Sequence, residues 1–291
     1  MITITVGENM IYEKAPAKIN LTLDILHKRE DGFHEVEMIM TSIDLSDRLF
    51  FEELTRDEIV IDSENRYVPN DHRNLAYQAA KVFKKQCGIR SGVKVDIDKN
   101  IPVAAGLAGG SSDAAATIRG LNRLFATGLS NAQMEKMAEQ IGSDVPYCIQ
   151  GGTQLAKGRG EVLTPLSPLP ACYVVLAKPK IGVSTKEVYG RVDLNNMIHP
   201  NNEQAIKALE NQDFQAVCEQ MGNVLEPITM NMHKEISPIK EQMENADADG
   251  VLMSGSGPTV YALVKQQSKA ERIYNSLKGF CEEVYVVHSL R

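Results

Sequence analysis

The apolar pattern of the chain predicts a mixed α+β protein in two parts, and three observations carry that reading. Segments of strand period and of helix period interleave without the strict alternation of a doubly wound sheet. Two glycine-rich loops each stand beside strand-forming runs. In TPLSPLPAC, Pro165, Pro168 and Pro170 interrupt any regular element, because proline fixes φ and donates no ladder hydrogen bond. A boundary placed there divides the chain into regions 1–166 and 167–291, and 291 residues suit two cores better than one.

The elements follow in order. MITITVGENM alternates like a strand and lacks the basic start and apolar run of a secretory signal. In KAPAKINLTLDI, Lys18 and Asn20 fall on one face of an alternating strand. A helix is expected from about Asn74 to Gln86, with Leu75, Ala79, Val82 and Phe83 on one face and Gly88 beyond its end. Val93, Val95 and Ile97 mark a half-buried strand over 92–98. Ser130 and Gln133 form a capping box for a helix that buries Met134, Met137, Ala138 and Ile141 and stops at Gly142. Ser237 and Pro238 read as a cap and first helical residue. Residues 251–264 read as two short strands around a glycine turn, followed by a helix from about Ser268 and a strand at 284–287.

Composition removes several function classes. Lys and Arg number 31 against 38 Asp and Glu, a net charge of −7, which disfavours general binding to nucleic acid or anionic membranes but not a local basic pocket. Trp is absent and aromatics make up 5%, too few for a single-strand stacking platform. Five scattered cysteines (Cys87, Cys148, Cys172, Cys218, Cys281) give neither a disulfide framework nor a zinc motif. No run approaches the roughly 18 apolar residues of a membrane span. A soluble, cytoplasmic protein is expected.

The chemistry concentrates in KNIPVAAGLAGGSSDAAATIRGLNRLF. A strand ends near Lys99, and a loop carries Gly106, Gly109, Gly110, Ser111 and Ser112. The helix that follows has Ala115, Ile118, Leu121 and Phe125 in register. Free N–H groups and the positive dipole end at such a helix start seat a phosphate, and glycine lets the backbone approach it. The serines add hydroxyl donors, and Ser112 is a candidate magnesium ligand. An ordinary glycine loop with a serine cap remains the alternative at this point. No G-x-x-x-x-G-K-[ST], G-x-G-x-x-G or protein-kinase signature is present. A second loop, Gly255, Ser256, Gly257 and Thr259 in LMSGSGPTVYALV, reads equally as a hairpin turn or as part of a phosphate pocket. Lys18 on an edge strand is ordinarily solvent-facing, and Asp144 before Pro146 ordinarily a turn residue.

Taken together, PAKINLTLDI, PVAAGLAGGSSDAAA, IGSDVPYC and LMSGSGPTVYALV occur in the order found in the galactose/homoserine/mevalonate/phosphomevalonate (GHMP) small-molecule kinases, and the likeness runs from about Ile11 through Val287. The resemblance implies an N-terminal ATP-binding α/β domain, a C-terminal ferredoxin-like domain and an active site in the cleft between them. With DGFHEVEMIMTSIDLSD added, it implies ATP·Mg²⁺-dependent phosphorylation of the 2-hydroxyl of 4-diphosphocytidyl-2-C-methyl-D-erythritol, with small molecules as the ligands and no nucleic-acid or membrane partner. It also implies residue roles. Pro102, Val103, Ala104, Ala105, Gly106, Leu107, Ala108, Gly109, Gly110, Ser111 and Ser112 correspond to the ATP-phosphate loop, and Asn74, Leu75 and Lys99 to the adenine pocket. Lys18 and Asp144 correspond to the catalytic pair. Asn20, Phe33, His34, Thr185 and Tyr189 correspond to substrate contacts, with Tyr189 stacking on cytosine. Lys157 and Arg159 in KGRGE face either the substrate diphosphate or solvent.

Two departures stand out: Phe33 replaces the usual tyrosine, and Ala104, Ala105 and Ala108 replace common glycines, which narrows backbone freedom. Two rivals are a GHMP kinase acting on another alcohol, such as homoserine or mevalonate, and a non-catalytic nucleotide-binding protein on the same fold.

Overall fold

A computed structural model describes residues 10–290, so the strand expected within the first ten residues lies almost wholly outside the described part. The strands are β1 (Ile11–Lys28), β2 (His34–Leu54), β3 (Ile59–Asp62), β4 (Gly92–Asp98), β5 (Thr153–Lys157), β6 (Val162–Pro165), β7 (Tyr173–Lys178), β8 (Gly222–Asn223), β9 (Gly250–Met253), β10 (Val260–Val264) and β11 (Glu283–His288). The helices are α1 (Leu75–Cys87), α2 (Gly109–Leu124), α3 (Asn131–Ala138), α4 (Val145–Gln150), α5 (Thr185–Tyr189), α6 (Asn202–Glu210), α7 (Phe214–Glu219), α8 (Glu226–Met232), α9 (Ser237–Asn245) and α10 (Gln267–Lys278).

The chain forms two compact units that interleave along the sequence. One takes the residues up to Pro16, Ser46–Val103 and Ala108–Gln150; the other takes Ala17–Leu45, Ala104–Leu107 and everything from Gly151 onward. The second unit thus draws on both sides of position 166.

In the first unit, the end of β2 pairs antiparallel with β4 (Phe51 opposite Val95), and β3 lies parallel to β4 on its other edge. Phe51, Val93 and Val95 are fully buried with Ala79 and Phe83 of α1 and Ile118 and Leu121 of α2. Gly120 is a packing glycine: a Cβ there would stand 2.4 Å from the Phe51 ring. Helix α1 has the expected ends. The Asn74 side chain accepts from the Ala76 amide, and Gly88 closes the helix at φ 67°, a left-handed turn that suits glycine. The Ser130–Gln133 capping box forms in full, but α3 ends at Ala138, and turns carry Ile141 and Gly142.

In the second unit, β1 pairs parallel with β8, and β2 pairs antiparallel with β5, which pairs with β6. A separate antiparallel sheet runs β11-β7-β10-β9. Numbered from β7, that is the 4-1-3-2 order of a ferredoxin-like βαββαβ sheet. Met243 and Ile239 of α9 and Ile273 and Leu277 of α10 bury against Val175, Val260 and Ala262 of this sheet. Ser237 is already the first helical residue of α9, with Ile236 at the cap position and Pro238 behind it. The cap shifts by one because proline is tolerated anywhere in the first turn, where its missing N–H has no partner to lose.

Candidate active site

In the first unit, β4 delivers the chain to the glycine loop, and α2 receives it. Ala108 stands at the cap position of α2 in a left-handed conformation, φ 56°, and provides no side-chain cap. The first amides of α2 are therefore left without a capping side chain, the condition under which a helix start accepts an anion. Gly110 is exposed, and a Cβ on it would approach Leu75 of α1 to 3.6 Å, which sets Leu75 beside the loop. Asn74 is buried, with its amide nitrogen donating to the Pro69 carbonyl at 2.8 Å. Ser112 is fully buried and donates from Oγ to the Pro16 carbonyl at 2.7 Å. Pro102 is buried and Val103 exposed. Asp144 is half-buried and directly precedes α4.

Lys99, expected at the adenine, has its ammonium between two buried carboxylates. Nζ donates to Asp47 Oδ2 at 2.5 Å and to Asp113 Oδ2 at 2.6 Å. Burial opposes the Lys99 charge, but Asp113 and Asp47 outweigh it and raise its pKa. Burial pushes the Asp113 carboxyl up to about 8, Lys99 working against the rise and Asp47 with it. One ammonium is shared between two buried carboxylates, which holds the Asp113 carboxyl well above the ordinary carboxylate range.

In the second unit, Lys18 and Asn20 do share a face of β1, but that face is buried, with both residues almost without exposed surface. Of the two readings of Lys18, the ordinary solvent-facing one does not hold, because the residue is buried within a strand that β2 flanks. Lys18 Nζ donates to Asn20 Oδ1 at 2.7 Å, and the Lys18 amide donates to the Leu107 carbonyl at 3.1 Å. The Ala104–Leu107 half of the glycine loop meets the second glycine loop here, for Ser254 Oγ donates to the Gly106 carbonyl at 3.0 Å. Gly106 holds φ 73°, and a Cβ on it would stand 2.3 Å from the Ser254 carbonyl oxygen. Ala104 is also left-handed, φ 52°. Two of the three loop alanines, Ala104 and Ala108, thus hold a conformation that favours glycine, each at a cost of about 1–2 kcal/mol; Ala105 is buried.

The second glycine loop is held from below. Asn223 Nδ2 donates to the carbonyls of Met253 and Gly255, both at 2.8 Å, and Glu226 Oε1 accepts the Met253 amide at 2.9 Å. The Gly257–Pro258 peptide is cis. Thr185, the first residue of α5, lies with its hydroxyl 2.9 Å from that of Ser256. Buried Tyr261 donates its hydroxyl to the Asn20 carbonyl at 2.7 Å.

A third group in the same unit gathers aromatic rings. His34 and Tyr189 lie 5.4 Å apart between centroids. Phe33 is 52% exposed, and the Arg159 guanidinium stands over its ring at 5.0 Å. Such a pair contributes about 0.5–1 kcal/mol at an exposed site. Lys157 pairs with Glu37 at 2.8 Å. Partial burial, with Lys28 nearby, lowers the His34 pKa below its ordinary value, so the ring is neutral at pH 7 and carries one donor and one acceptor.

Among the described residues, no group of three or more His, Cys, Asp or Glu is placed to hold a metal. Ser112 Oγ donates its proton to the Pro16 carbonyl, which leaves the lone pairs of that oxygen uncommitted. Four residues that contribute to these arrangements were not legible in the sequence: Asp47, Asp113, Asn223 and Tyr261. Each acts on a group distant in sequence, and only Asp113, next to the paired serines, carried any local hint.

Comparison with known proteins gives the following. Residues 74–152 match the family described as GHMP kinases N terminal domain, and residues 205–283 match GHMP kinases C terminal. The chain is 57% identical over 277 residues to 4-diphosphocytidyl-2-C-methyl-D-erythritol kinase of Bacillus mycoides (strain KBAB4), covering 95% of this chain and 96% of that protein. It superposes on a crystal structure of 4-(cytidine 5'-diphospho)-2C-methyl-D-erythritol kinase with a TM-score of 0.81 and 30% identity, covering 96% of this chain and 99% of the other. Homoserine kinase from Cytophaga hutchinsonii ATCC 33406 matches with a TM-score of 0.75 at 20% identity, covering 99% and 97%, a likeness of fold alone.

Proposed function

The chain belongs to the GHMP kinase family, and on that premise we propose that it transfers the γ-phosphoryl group of ATP to the 2-hydroxyl of 4-diphosphocytidyl-2-C-methyl-D-erythritol. The products are the 2-phosphate and ADP, a step of the non-mevalonate route to isopentenyl diphosphate. The observation that carries the reading is the 57% identity, over nearly the whole of both chains, to a kinase of that name.

The residue roles are our proposal. Amides of the 102–112 loop take the ATP phosphates, with Asn74 and Leu75 beside the adenine. Magnesium enters bound to ATP, as part of the substrate, and supplies charge neutralisation at the phosphates. Asp144 accepts the proton of the 2-hydroxyl as the oxygen–phosphorus bond forms and the bond from the γ-phosphorus to the bridging oxygen breaks, releasing ADP. Lys18 stabilises the negative charge developing on the 2-oxygen, and the carbonyl of Asn20 aims the ammonium. A tertiary alcohol attacks poorly, so most of the acceleration comes from alignment and charge neutralisation by the loop. His34 reads the cytosine edge, Phe33 and Tyr189 hold its faces, and Thr185 contacts the nucleoside.

No described helix is long and apolar enough to cross a membrane. We assign the enzyme to the cytoplasm.

The test is ADP release from ATP·Mg²⁺ with the cytidylyl substrate, run beside homoserine and mevalonate, with phosphorus NMR locating the new phosphate. Turnover with the cytidylyl substrate alone is expected. Turnover with homoserine or mevalonate instead would move the chain to another branch of the family. Nucleotide binding without any acceptor would leave a non-catalytic protein.

A further inference from the structure

Lys99 follows β4 directly, and its side chain is 5% exposed, while those of its two partners, Asp47 and Asp113, are 0% and 4% exposed. The three acids and bases join three elements: Asp47 lies in β2, Lys99 just after β4, and Asp113 one turn into α2. Asp47 also holds the start of the glycine loop, because its Oδ1 accepts the amides of Asn100 and Ile101 at 2.6 and 2.8 Å. The end of the loop rests on the same ammonium: a Cβ on Gly109 would stand 3.1 Å from Lys99 Nζ and 3.0 Å from the Ile101 side chain. Asp47 therefore grips the chain where the loop begins and Asp113 where it ends, and Lys99 couples the two grips.

Burying three ionisable groups is a poor way to gain stability, since apolar residues of like volume do as well or better; what such a cluster supplies is one defined geometry. Asp113 Oδ1 is buried with no hydrogen-bond partner, while its Oδ2 is engaged by Lys99. The Lys99 ammonium is enclosed by these two carboxylates.

We propose that Asp47, Lys99 and Asp113 form a buried clamp that positions the phosphate loop, so that Lys99 serves ATP through the loop backbone and not by contact. The clamp rests on the reading of residues 102–112 as the ATP-phosphate loop. Asp47, Lys99 and Asp113 are positioning residues, and their removal acts on the nucleotide side of the reaction.

The experiment measures KM for ATP·Mg²⁺ and for the cytidylyl substrate, and calorimetric affinity for ADP·Mg²⁺, in the wild type, Lys99→Met, Asp113→Ala and Asp113→Asn. Lys99→Met and Asp113→Ala are expected to raise the ATP KM and weaken ADP binding about tenfold or more, with the KM for the second substrate within about twofold. Asp113→Asn keeps an oxygen for the ammonium and is expected to restore ATP KM to within about threefold of wild type. An unchanged ATP KM in folded Lys99→Met, or equal rises in both KM values without rescue by Asn, overturns the clamp. If Lys99→Met and Asp113→Ala do not fold, amide hydrogen exchange of Asp113→Glu decides. Faster exchange confined to residues 100–112 supports the clamp, and an unchanged or uniformly altered pattern overturns it. Failure of the wild type to phosphorylate the cytidylyl substrate would refute the proposed activity, while the ADP-affinity comparison would still test the clamp.

Discussion

Lys18 and Asp144 carry the chemistry proposed here, and they fail differently from binding residues. General acid–base assistance is worth about 10²–10⁴-fold. Asp144→Asn and Lys18→Ala are each expected to lose most turnover, by at least about 100-fold in kcat, while ADP·Mg²⁺ affinity by calorimetry stays within about threefold. Loss of nucleotide affinity in step with turnover would remove both from these roles. His34 gives a pH signature. Its pKa lies below the ordinary histidine value because burial disfavours the imidazolium and the Lys28 charge adds to that. The neutral ring that pairs with cytosine is therefore present at pH 7 and is lost as the pH falls through that lowered pKa. The KM for the cytidylyl substrate is expected to rise as the pH drops from about 7.5 to about 5.5, and His34→Gln is expected to show a higher but flatter KM over that range. A wild-type KM independent of pH there would count against the contact. Phe33 offers a ring face but no hydroxyl, and Arg159 lies over that ring.

Among the elements, the glycine loop is the most constrained by its backbone. At Gly106 two requirements coincide, a left-handed φ of 73° and a carbonyl oxygen 2.3 Å from where a Cβ would be. Gly106→Ala is expected to cost at least about 2 kcal/mol in urea unfolding and to impair ATP binding, because the clash adds to the conformational strain. Ala108, by contrast, already bears that strain at φ 56°. Ala108→Gly is expected to stabilise the protein by up to about 1 kcal/mol in the same assay, the relief of the left-handed Cβ exceeding the entropy that glycine adds to the unfolded chain. Destabilisation by Ala108→Gly would show that the strain is illusory. Much at this scale was legible. The Asn74 cap, Gly88 and the Ser130–Gln133 box are local hydrogen-bond patterns written within a few residues of each other. Helix α3 stops at Ala138 and buries Met134, Met137 and Ala138, while Ile141, expected to be buried with them, lies in the following turn and is only partly buried.

Across the whole molecule, the division proposed at 166/167 and the two compact units answer different questions. A fragment of residues 167–291 contains every strand of the four-stranded sheet and every residue of its core cluster, from Val175 to Val284. It is expected to fold cooperatively in urea, at lower stability than the full chain, because Ala17–Leu45 belongs to the same compact unit and is removed with the first region. Non-cooperative unfolding would show that the sheet depends on those residues. The family, the two glycine loops and the candidate residues on them were readable from linear motifs, since a loop that seats a phosphate needs its glycines and hydroxyls at fixed short spacing. Strand and helix types were readable from periodicity, for a similarly local reason. Which polar groups would be buried was not: the Lys18 amide is held by the Leu107 carbonyl, some ninety residues on, and Asp47 meets Lys99 across 52 positions. Periodicity records which face of an element is apolar, whereas the partner of a buried charge depends on how distant segments are brought together, and one such contact leaves no repeating mark in the sequence.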